Sequence, residues 1–179
     1  MRRRRPSLSL GWLLAAFDRA ARASAPAALA VLLMVLATVP PDLPSAVPAL
    51  AMGSVLFWTL FRPGAMAPPV VFGIGLLQDL LTFSPLGVGI LTLLLAHGVA
   101  LRWRGVLVRR PFVVVWMAVA GVSAVALALG YGLNAALTWT LPPPEPALHL
   151  LALSAGLYPP LALVLTRLHR RLERAEAAA

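Results

Sequence analysis

The carboxylate of Asp79 is the side chain in this sequence that is best suited to chemistry. It is the only acidic residue in residues 57–90, FWTLFRPGAMAPPVVFGIGLLQDLLTFSPLGVGI. If this stretch crosses a membrane, a buried charge there costs about 3 kcal/mol, so the acid should face protein or water. Three roles fit such a carboxylate. It can accept hydrogen bonds from Thr82, Ser84 or the free N–H groups of a neighbouring helix start, it can contact a partner protein, or it can relay protons or ions.

The other reactive side chains lack the neighbours that catalysis or metal binding requires. No histidine has the set of further ligands close by that a metal site requires, and no cysteine is present, which excludes thiolate metal sites and disulfides. No serine occupies a nucleophile elbow, and no glycine-rich phosphate loop follows a strand. The histidines are His97, His149 and His169, and the glutamates, all outside the apolar runs, are Glu145, Glu173 and Glu176. The sequence therefore predicts a protein that is not an enzyme and has no cofactor or metal.

Composition and charge place the chain in a membrane. Of 179 residues, 60% are hydrophobic and 12% are charged, and the mean hydropathy is +0.88. This apolar excess is too large for a soluble domain of the same size. The net charge of +9 comes from 15 arginines, which lie in short clusters between apolar runs. Because they do not form a patch among aromatic residues, we expect contact with membrane lipids and no nucleic-acid binding.

Six apolar runs predict an all-α bundle of six transmembrane helices. They cover residues 24–39, 45–61, 66–82, 84–101, 112–141 and 147–168. The first would be about 24 Å long as a helix, short for a core of about 30 Å, so we expect it to begin upstream. The fifth would be about 45 Å long, so it should tilt, bend near Gly130 and Gly132, or project from the membrane. Pro159 and Pro160 predict a kink in the sixth.

The ends of the chain are predicted to lie outside this membrane domain. Residues 1–23 form a basic tail. Helical spacing within this tail places four apolar residues on one face, namely Trp12, Leu13, Ala16 and Phe17. This amphipathic helix either lies in the lipid headgroup layer or extends the first spanning helix into the cytoplasm. We divide the chain into this tail, a six-span domain over residues 24–168 and a cytoplasmic tail over residues 169–179.

The distribution of arginine predicts the orientation of the bundle. Six arginines lie in the N-terminal tail, one follows the second run, four follow the fourth run and four lie in the C-terminal tail. All 15 are thus on one side of a six-pass chain, and the opposite turns contain none. Cytoplasmic segments accumulate arginine, so both termini are expected inside the cell.

The connection between the third and fourth runs predicts a sharp stop followed by a restart. We expect Ser84 to cap the fourth helix and Pro85 to occupy its first turn. Four glycines in these two runs should let helix backbones approach closely: Gly73, Gly75, Gly87 and Gly89. At the end of the second run, Trp58 is expected to anchor the helix at the membrane interface, as is Trp139 at the end of the fifth.

The same central stretch resembles the MreD family of rod shape-determining membrane proteins. The resemblance covers about a fifth of the chain and rests on Phe57, Trp58, Arg62, Pro63, Gly75, Leu76, Leu77, Asp79, Leu80, Leu81, Pro85, Leu86 and Gly87. It implies a non-enzymatic component of the bacterial elongation machinery, active in cell-shape maintenance and lateral-wall peptidoglycan synthesis. It also implies a fold similar to the substrate-binding subunits of energy-coupling-factor transporters.

The resemblance further implies particular partners. The direct one is MreC, a single-span protein with a periplasmic domain. Through MreC, the chain would reach the MreB filament, RodA and the elongation-specific penicillin-binding protein. The candidate contact residues are Asp79, Trp58, Arg62, Gly73, Gly75, Pro85, Gly87 and Gly89.

An alternative function is that of a substrate-binding membrane subunit of a vitamin transporter of the energy-coupling-factor type. Such a subunit needs a pocket into which polar groups from several spans converge. The available contributors are Asp79, Tyr131, Asn134 and Tyr158. A neighbouring gene for an ATP-driven module would favour this alternative, whereas neighbouring morphogenesis genes would favour the scaffold.

Overall fold

Over the residues that the structure describes, the protein folds as a bundle of six α-helices. A computed structural model describes the backbone of residues 10–39, 46–141 and 143–177, and the side chains from residue 24 onward within these ranges, except residues 172 and 175–177. The helices are α1 (Leu10–Ala37), α2 (Ala46–Phe61), α3 (Pro68–Thr82), α4 (Val88–Leu107), α5 (Phe112–Thr138) and α6 (Glu145–Ala177), with a short 3₁₀ turn at Pro63–Ala65. Within the described ranges no strand is present, which confirms the all-α class.

The central helix of the bundle is α2. It contacts α1, α3, α4, α5 and α6, and thirteen of its sixteen residues are buried. A helix that is apolar on all sides is stable only when it is surrounded, and the sequence AVPALAMGSVLFWTLF has no polar face. The other helices therefore pack around α2, and their outer faces remain exposed.

The burial of α2 explains why the prediction for Trp58 was wrong. Its side chain is 0% exposed, packs edge-on against Phe57 at 5.2 Å between ring centroids, and lies 6.1 Å from the ring of His169. A tryptophan at the end of an apolar run indicates an interfacial anchor only when the helix borders lipid, and α2 does not. Trp139, by contrast, is exposed, as an anchor would be.

Within the described part of the chain, three helices are long and apolar enough to cross a membrane, namely Val88–Leu107, Phe112–Thr138 and Glu145–Arg171. The apolar stretches Ser24–Ala37, Ala46–Phe61 and Pro68–Thr82 are shorter. The first of these is part of a longer helix, because α1 runs without interruption from Leu10. The helix therefore begins upstream of the first apolar run, and both alternatives for residues 1–23 stay open.

A proline in α6 determines how α5 packs against that helix. Pro159 has no N–H group, so the carbonyl of Ala155 lacks its usual donor four residues ahead. The indole Nε1 of Trp116 on α5 donates to this carbonyl at 2.8 Å. The side chain thus satisfies a backbone acceptor that the helix itself leaves open, and it joins α5 to α6 at that level.

We expect Trp116→Phe to lower the free energy of unfolding by about 1 kcal/mol, because the Ala155 carbonyl loses its donor in a partly buried place. In a Pro159→Ala background, residue 159 regains an N–H that can bond to Ala155, so the same substitution should cost clearly less. Thermal unfolding in detergent of the two single variants and the double variant measures this coupling. An equal cost of Trp116→Phe in both backgrounds would refute the interpretation.

Candidate functional site at the α3–α4 turn

Helix α3 ends at Thr82, as predicted, in a turn that is closed by the backbone of Asp79. Phe83 follows in the left-handed conformation, with φ of 52°, and its N–H group donates to the carbonyl of Asp79. The N–H of Ser84 donates to the same carbonyl at 3.2 Å. The left-handed residue reverses the chain direction, as at many helix C-termini, although here it is a phenylalanine whose side chain is 96% exposed.

The side chain of Asp79 spans the turn and caps the start of α4. Its Oδ2 accepts the N–H of Gly87 at 2.8 Å, and its Oδ1 accepts the N–H of Gly89 at 2.7 Å. The residue is only 1% exposed. The first N–H groups of a helix have no partner within the helix, and the positive end of the helix dipole lies there. The carboxylate satisfies two such groups and is stabilised by that dipole. Of the three roles considered, this geometry fits the first, in which the carboxylate accepts hydrogen bonds from the free N–H groups of a neighbouring helix start.

Ser84 does not cap α4, so this prediction was wrong. The helix begins only at Val88, and Gly87 occupies the N-cap position with φ of 105° and no side-chain cap. Ser84 instead bonds through Oγ to Thr82 Oγ1 at 2.8 Å, and Thr82 donates to the Gln78 carbonyl. Pro85 likewise lies in the turn before the helix, where its carbonyl accepts the N–H of Val88. Ser84 is not needed as a cap, because the Asp79 side chain of α3 already accepts the N–H groups of Gly87 and Gly89.

The glycines of this region have different roles. A Cβ atom on Gly75 would lie 2.6 Å from the Cα atom of Ile90, and one on Gly89 would collide with the Asp79 carboxylate. These two glycines therefore permit the close approach of α3 and α4 that was predicted. Gly87 is required for its positive φ. Gly73 is exposed, with no atom within 4 Å of a Cβ placed on it, so it does not contribute to the contact between α3 and α4.

The remaining candidate residues lie far from Asp79. Arg62 and Trp58 are at the end of α2, before the start of α3, whereas Asp79 is in the last turn of α3. The fifteen residues of α3 separate the two ends by about 22 Å. The structure thus brings together Asp79, Gly75, Gly87, Gly89 and the turn containing Pro85, but not Arg62 or Trp58.

Two polar contacts between α2 and α4, away from the α3–α4 turn, were not predicted. His97 on α4 is buried, and its Nδ1 lies 2.8 Å from Thr59 Oγ1 on α2. Arg104 donates through Nε to the carbonyl of Leu60 at 2.7 Å, in the last turn of α2, where carbonyls lack helical partners. These pairs are 38 and 44 residues apart in sequence, and no local pattern signals them.

A cavity of about 330 Å³ adjoins the Asp79 turn, and Asp79, Tyr131 and Asn134 line it. Three of the four polar residues proposed for a pocket are therefore together. The fourth, Tyr158, lies elsewhere, because it is buried with its ring stacked on Phe112 at the opposite end of α5. Among the residues that the structure describes, no cluster of three histidine or acidic side chains could hold a metal ion.

These features define a small all-helical membrane protein whose central carboxylate holds a helix start. The family model of the rod shape-determining protein MreD matches residues 25–167, and the chain belongs to this family. The match confirms the resemblance seen at residues 57–90 and assigns the chain a role in rod shape determination. Comparison with curated proteins and with solved structures gave no significant match.

Proposed function

We propose that this chain is a non-enzymatic scaffold of the cell-elongation machinery in the bacterial inner membrane, and that it acts by binding MreC. MreB, RodA and the elongation-specific penicillin-binding protein would be reached through MreC, which connects the chain to lateral-wall peptidoglycan synthesis. The family match supports the shape-determining role. The observation that carries the proposal is the state of Asp79, whose two buried oxygens are both engaged with backbone N–H groups. Asp79, the residue best suited to chemistry, therefore stabilises the hairpin of α3 and α4. We infer that the protein acts through contacts of its helix surfaces with a partner.

The outer face of α3 is the surface that best fits MreC. Phe72, Leu76 and Leu80 are exposed at steps of four residues, and Phe83 continues the row into the turn. Gly73 lies beside this row and leaves a notch where a partner helix can approach closely. In this arrangement Asp79, Gly75 and Gly89 act indirectly, because they hold α3 against α4 and so fix the position of the face.

We expect Gly73→Leu to reduce the recovery of MreC by about tenfold when the two proteins are co-purified from membranes, because the side chain fills the notch. Gly121→Leu on α5 is the matched control. Gly121 is also exposed and has no atom within 4 Å of a Cβ placed on it, but it lies on another face. Undiminished recovery with Gly73→Leu, or a loss confined to Gly121→Leu, would contradict the proposed face.

We also propose six membrane crossings with both termini in the cytoplasm. The ends of α2, α4 and α6 lie together, as the contacts of Arg104 with Leu60 and of His169 with Trp58 and Phe61 indicate. The arginines in the last turns of these helices and directly after them therefore share one end of the bundle, and such clusters mark the cytoplasmic side.

Reporter fusions test this orientation. Alkaline phosphatase fused after Pro144, in the α5–α6 connection, is expected to be active, whereas a fusion after Ala179 should be inactive. A fluorescent protein that folds only in the cytoplasm should give the reverse pattern at the same two positions. An active phosphatase at the C-terminus would refute the orientation.

A transporter subunit of the energy-coupling-factor type is the second candidate function. The cavity that brings together Asp79, Tyr131 and Asn134 favours it. The two candidates differ in the partner that co-purifies with the chain, which would be an ATP-driven module for the transporter and MreC for the scaffold. Recovery of such a module from membranes, with a vitamin bound to the cavity, would favour the transporter.

A further inference from the structure

The cavity beside Asp79 has a polar lining at the end of the bundle that contains the α3–α4 turn. It lies between that turn, α5 and the first turns of α6, and its volume of about 330 Å³ is in the range of small-molecule sites. Its polar groups come from three helices and one turn: Gln78, Asp79, Ser84, Thr92, Tyr131 and Asn134. This convergence is unusual in a chain that is 60% hydrophobic.

A second cavity, of about 310 Å³, continues the first between α5 and α6. The two share Leu127, Tyr131 and Ala147, so they adjoin one another. Apart from Tyr131, every residue that lines the second cavity is apolar, including Ala124 and Leu151. The pair thus forms one elongated site with a polar end and an apolar end.

The two cavities lie side by side along the α5–α6 pair. At the start of α6 the polar cavity is lined by residues within 143–150 and the apolar cavity by residues within 144–151, so the two lie at nearly the same height. On α5 the lining of the apolar cavity is shifted by three residues, about 4.5 Å, away from the end of the helix. A ligand that fills both cavities therefore places its polar part beside the α3–α4 turn and its apolar part along the neighbouring α5–α6 surface.

The charges and hydrogen-bonding groups of the polar end indicate what kind of head group it accepts. Asp79 supplies the only charge, and none of the described lining residues is arginine, lysine or histidine, so an anionic phosphate has no counter-ion. The side chain of Gln78 is nine-tenths buried, and its Oε1 has no hydrogen-bond partner among the described residues. An unpaired buried carbonyl oxygen requires a donor, and rotation of the amide about its last torsion can present that oxygen to the cavity.

We propose that this elongated site binds a neutral amphiphile, with a hydroxyl-bearing head group in the polar cavity and an alkyl chain in the apolar one. Hydroxyl groups supply donors for Gln78 and for the remaining lone pairs of Asp79, and they accept from Asn134. A lipid of this class enters sideways from the leaflet between α5 and α6. The proposal is independent of MreC, because the site lies between helices rather than on the outer face of α3.

Binding is measured on the full-length chain purified in an amine-oxide detergent, by native mass spectrometry and by calorimetry. The probe is monooleoylglycerol, a neutral lipid with two hydroxyl groups. Lysophosphatidylglycerol with the same acyl chain tests the charge of the head group, and glycerol alone tests the need for the chain. One molecule of monooleoylglycerol should bind per protein, about tenfold more tightly than the anionic lipid, and glycerol should not bind.

Variants locate the binding site. Gln78→Leu and Asn134→Leu should each weaken monooleoylglycerol binding by about tenfold, because a polar partner is lost. Ala147→Phe, at the junction of the two cavities, should abolish binding, whereas Ala152→Phe on the exposed side of α6 should leave it unchanged. Each variant is first shown to elute and unfold like the wild type.

Four outcomes would overturn the proposal. They are a cavity that holds water only, equal affinity for the anionic lipid, binding of glycerol without a chain, and wild-type affinity in both leucine variants. Glycerol binding would instead point to a small polar substrate, as in the transporter alternative.

Discussion

Asp79→Ala is expected to lower the free energy of unfolding by about 3 kcal/mol. The change removes both acceptors of the Gly87 and Gly89 N–H groups, which lie at 2.8 and 2.7 Å from the carboxylate oxygens. Because Asp79 is 1% exposed, water does not readily replace the lost acceptors. A buried donor without a partner costs about 1–3 kcal/mol, and loss of a helix cap costs about 1 kcal/mol.

Ser84→Ala is the matched control for this prediction. Ser84 is the residue that the sequence pattern indicates as the cap of α4, but its hydroxyl bonds to Thr82 and not to the start of that helix. Its replacement should cost less than about 0.5 kcal/mol, as is usual for a substitution without a buried partner. Thermal unfolding in detergent, followed by tryptophan fluorescence, compares the two variants. If Ser84→Ala were as destabilising as Asp79→Ala, the capping role assigned to Asp79 would be wrong.

The effect of Asp79→Ala on MreC recovery separates indirect from direct action. If the carboxylate only positions the hairpin, Asp79→Ala should reduce MreC recovery in proportion to its loss of stability. Lower temperature or added lipid that restores the fold should then restore MreC as well. If Asp79→Ala instead reduces the recovery of MreC while the free energy of unfolding stays at the wild-type value, Asp79 contacts MreC directly.

Helix positions could be predicted from the sequence because they depend on local composition. Prolines and glycines interrupt long apolar runs, and such interruptions bound α3, which ends at Thr82, and α5, which begins at Phe112. The start of α4 was placed four residues too early. The dipeptide Ser84-Pro85 is typical of a helix start. The free N–H groups at the start of α4, however, donate to Asp79, which precedes the turn.

Contacts between helices could not be predicted in the same way. The bond from Trp116 to Ala155 spans 39 residues, and the bond from Arg104 to Leu60 spans 44. Such pairs depend on which helix lies beside which, and apolar runs in a membrane protein carry little information on that order. One signal was available, since Pro159 leaves the carbonyl of Ala155 without a donor and so requires a partner from another helix.

The central position of α2 could not be predicted from its polarity. This helix has no charged residue and no polar face, but α5 has no charged residue either, and most of α5 is not buried. A central position, in which Trp58 is buried rather than interfacial, is one reading of such a helix. The sequence alone does not separate this reading from a lipid-facing helix, because lipid and protein interior are equally apolar.

Gly75→Ala is expected to destabilise the protein by about 3 kcal/mol, whereas Gly73→Ala, two residues earlier on the same helix, should not. The new Cβ at Gly75 would lie 2.6 Å from Ile90 Cα and 3.0 Å from Ile90 N. Both are backbone atoms, so α4 itself must move, and the Asp79 bonds to its start would be distorted. Overpacking of this kind costs about 1–3 kcal/mol, before any loss of the cap.

At Gly73 a Cβ meets no atom within 4 Å, and alanine favours the helix over glycine by up to about 1 kcal/mol. The free energy of unfolding of Gly73→Ala should therefore equal or exceed that of the wild type. Thermal unfolding of the two variants under the same conditions provides the comparison. Since both changes add one methyl group to the same helix, a difference between them reports on the α3–α4 contact alone. Equal stabilities would mean that the two helices do not approach as closely at Gly75 as described, and the capping geometry of Asp79 would have to be revised with them.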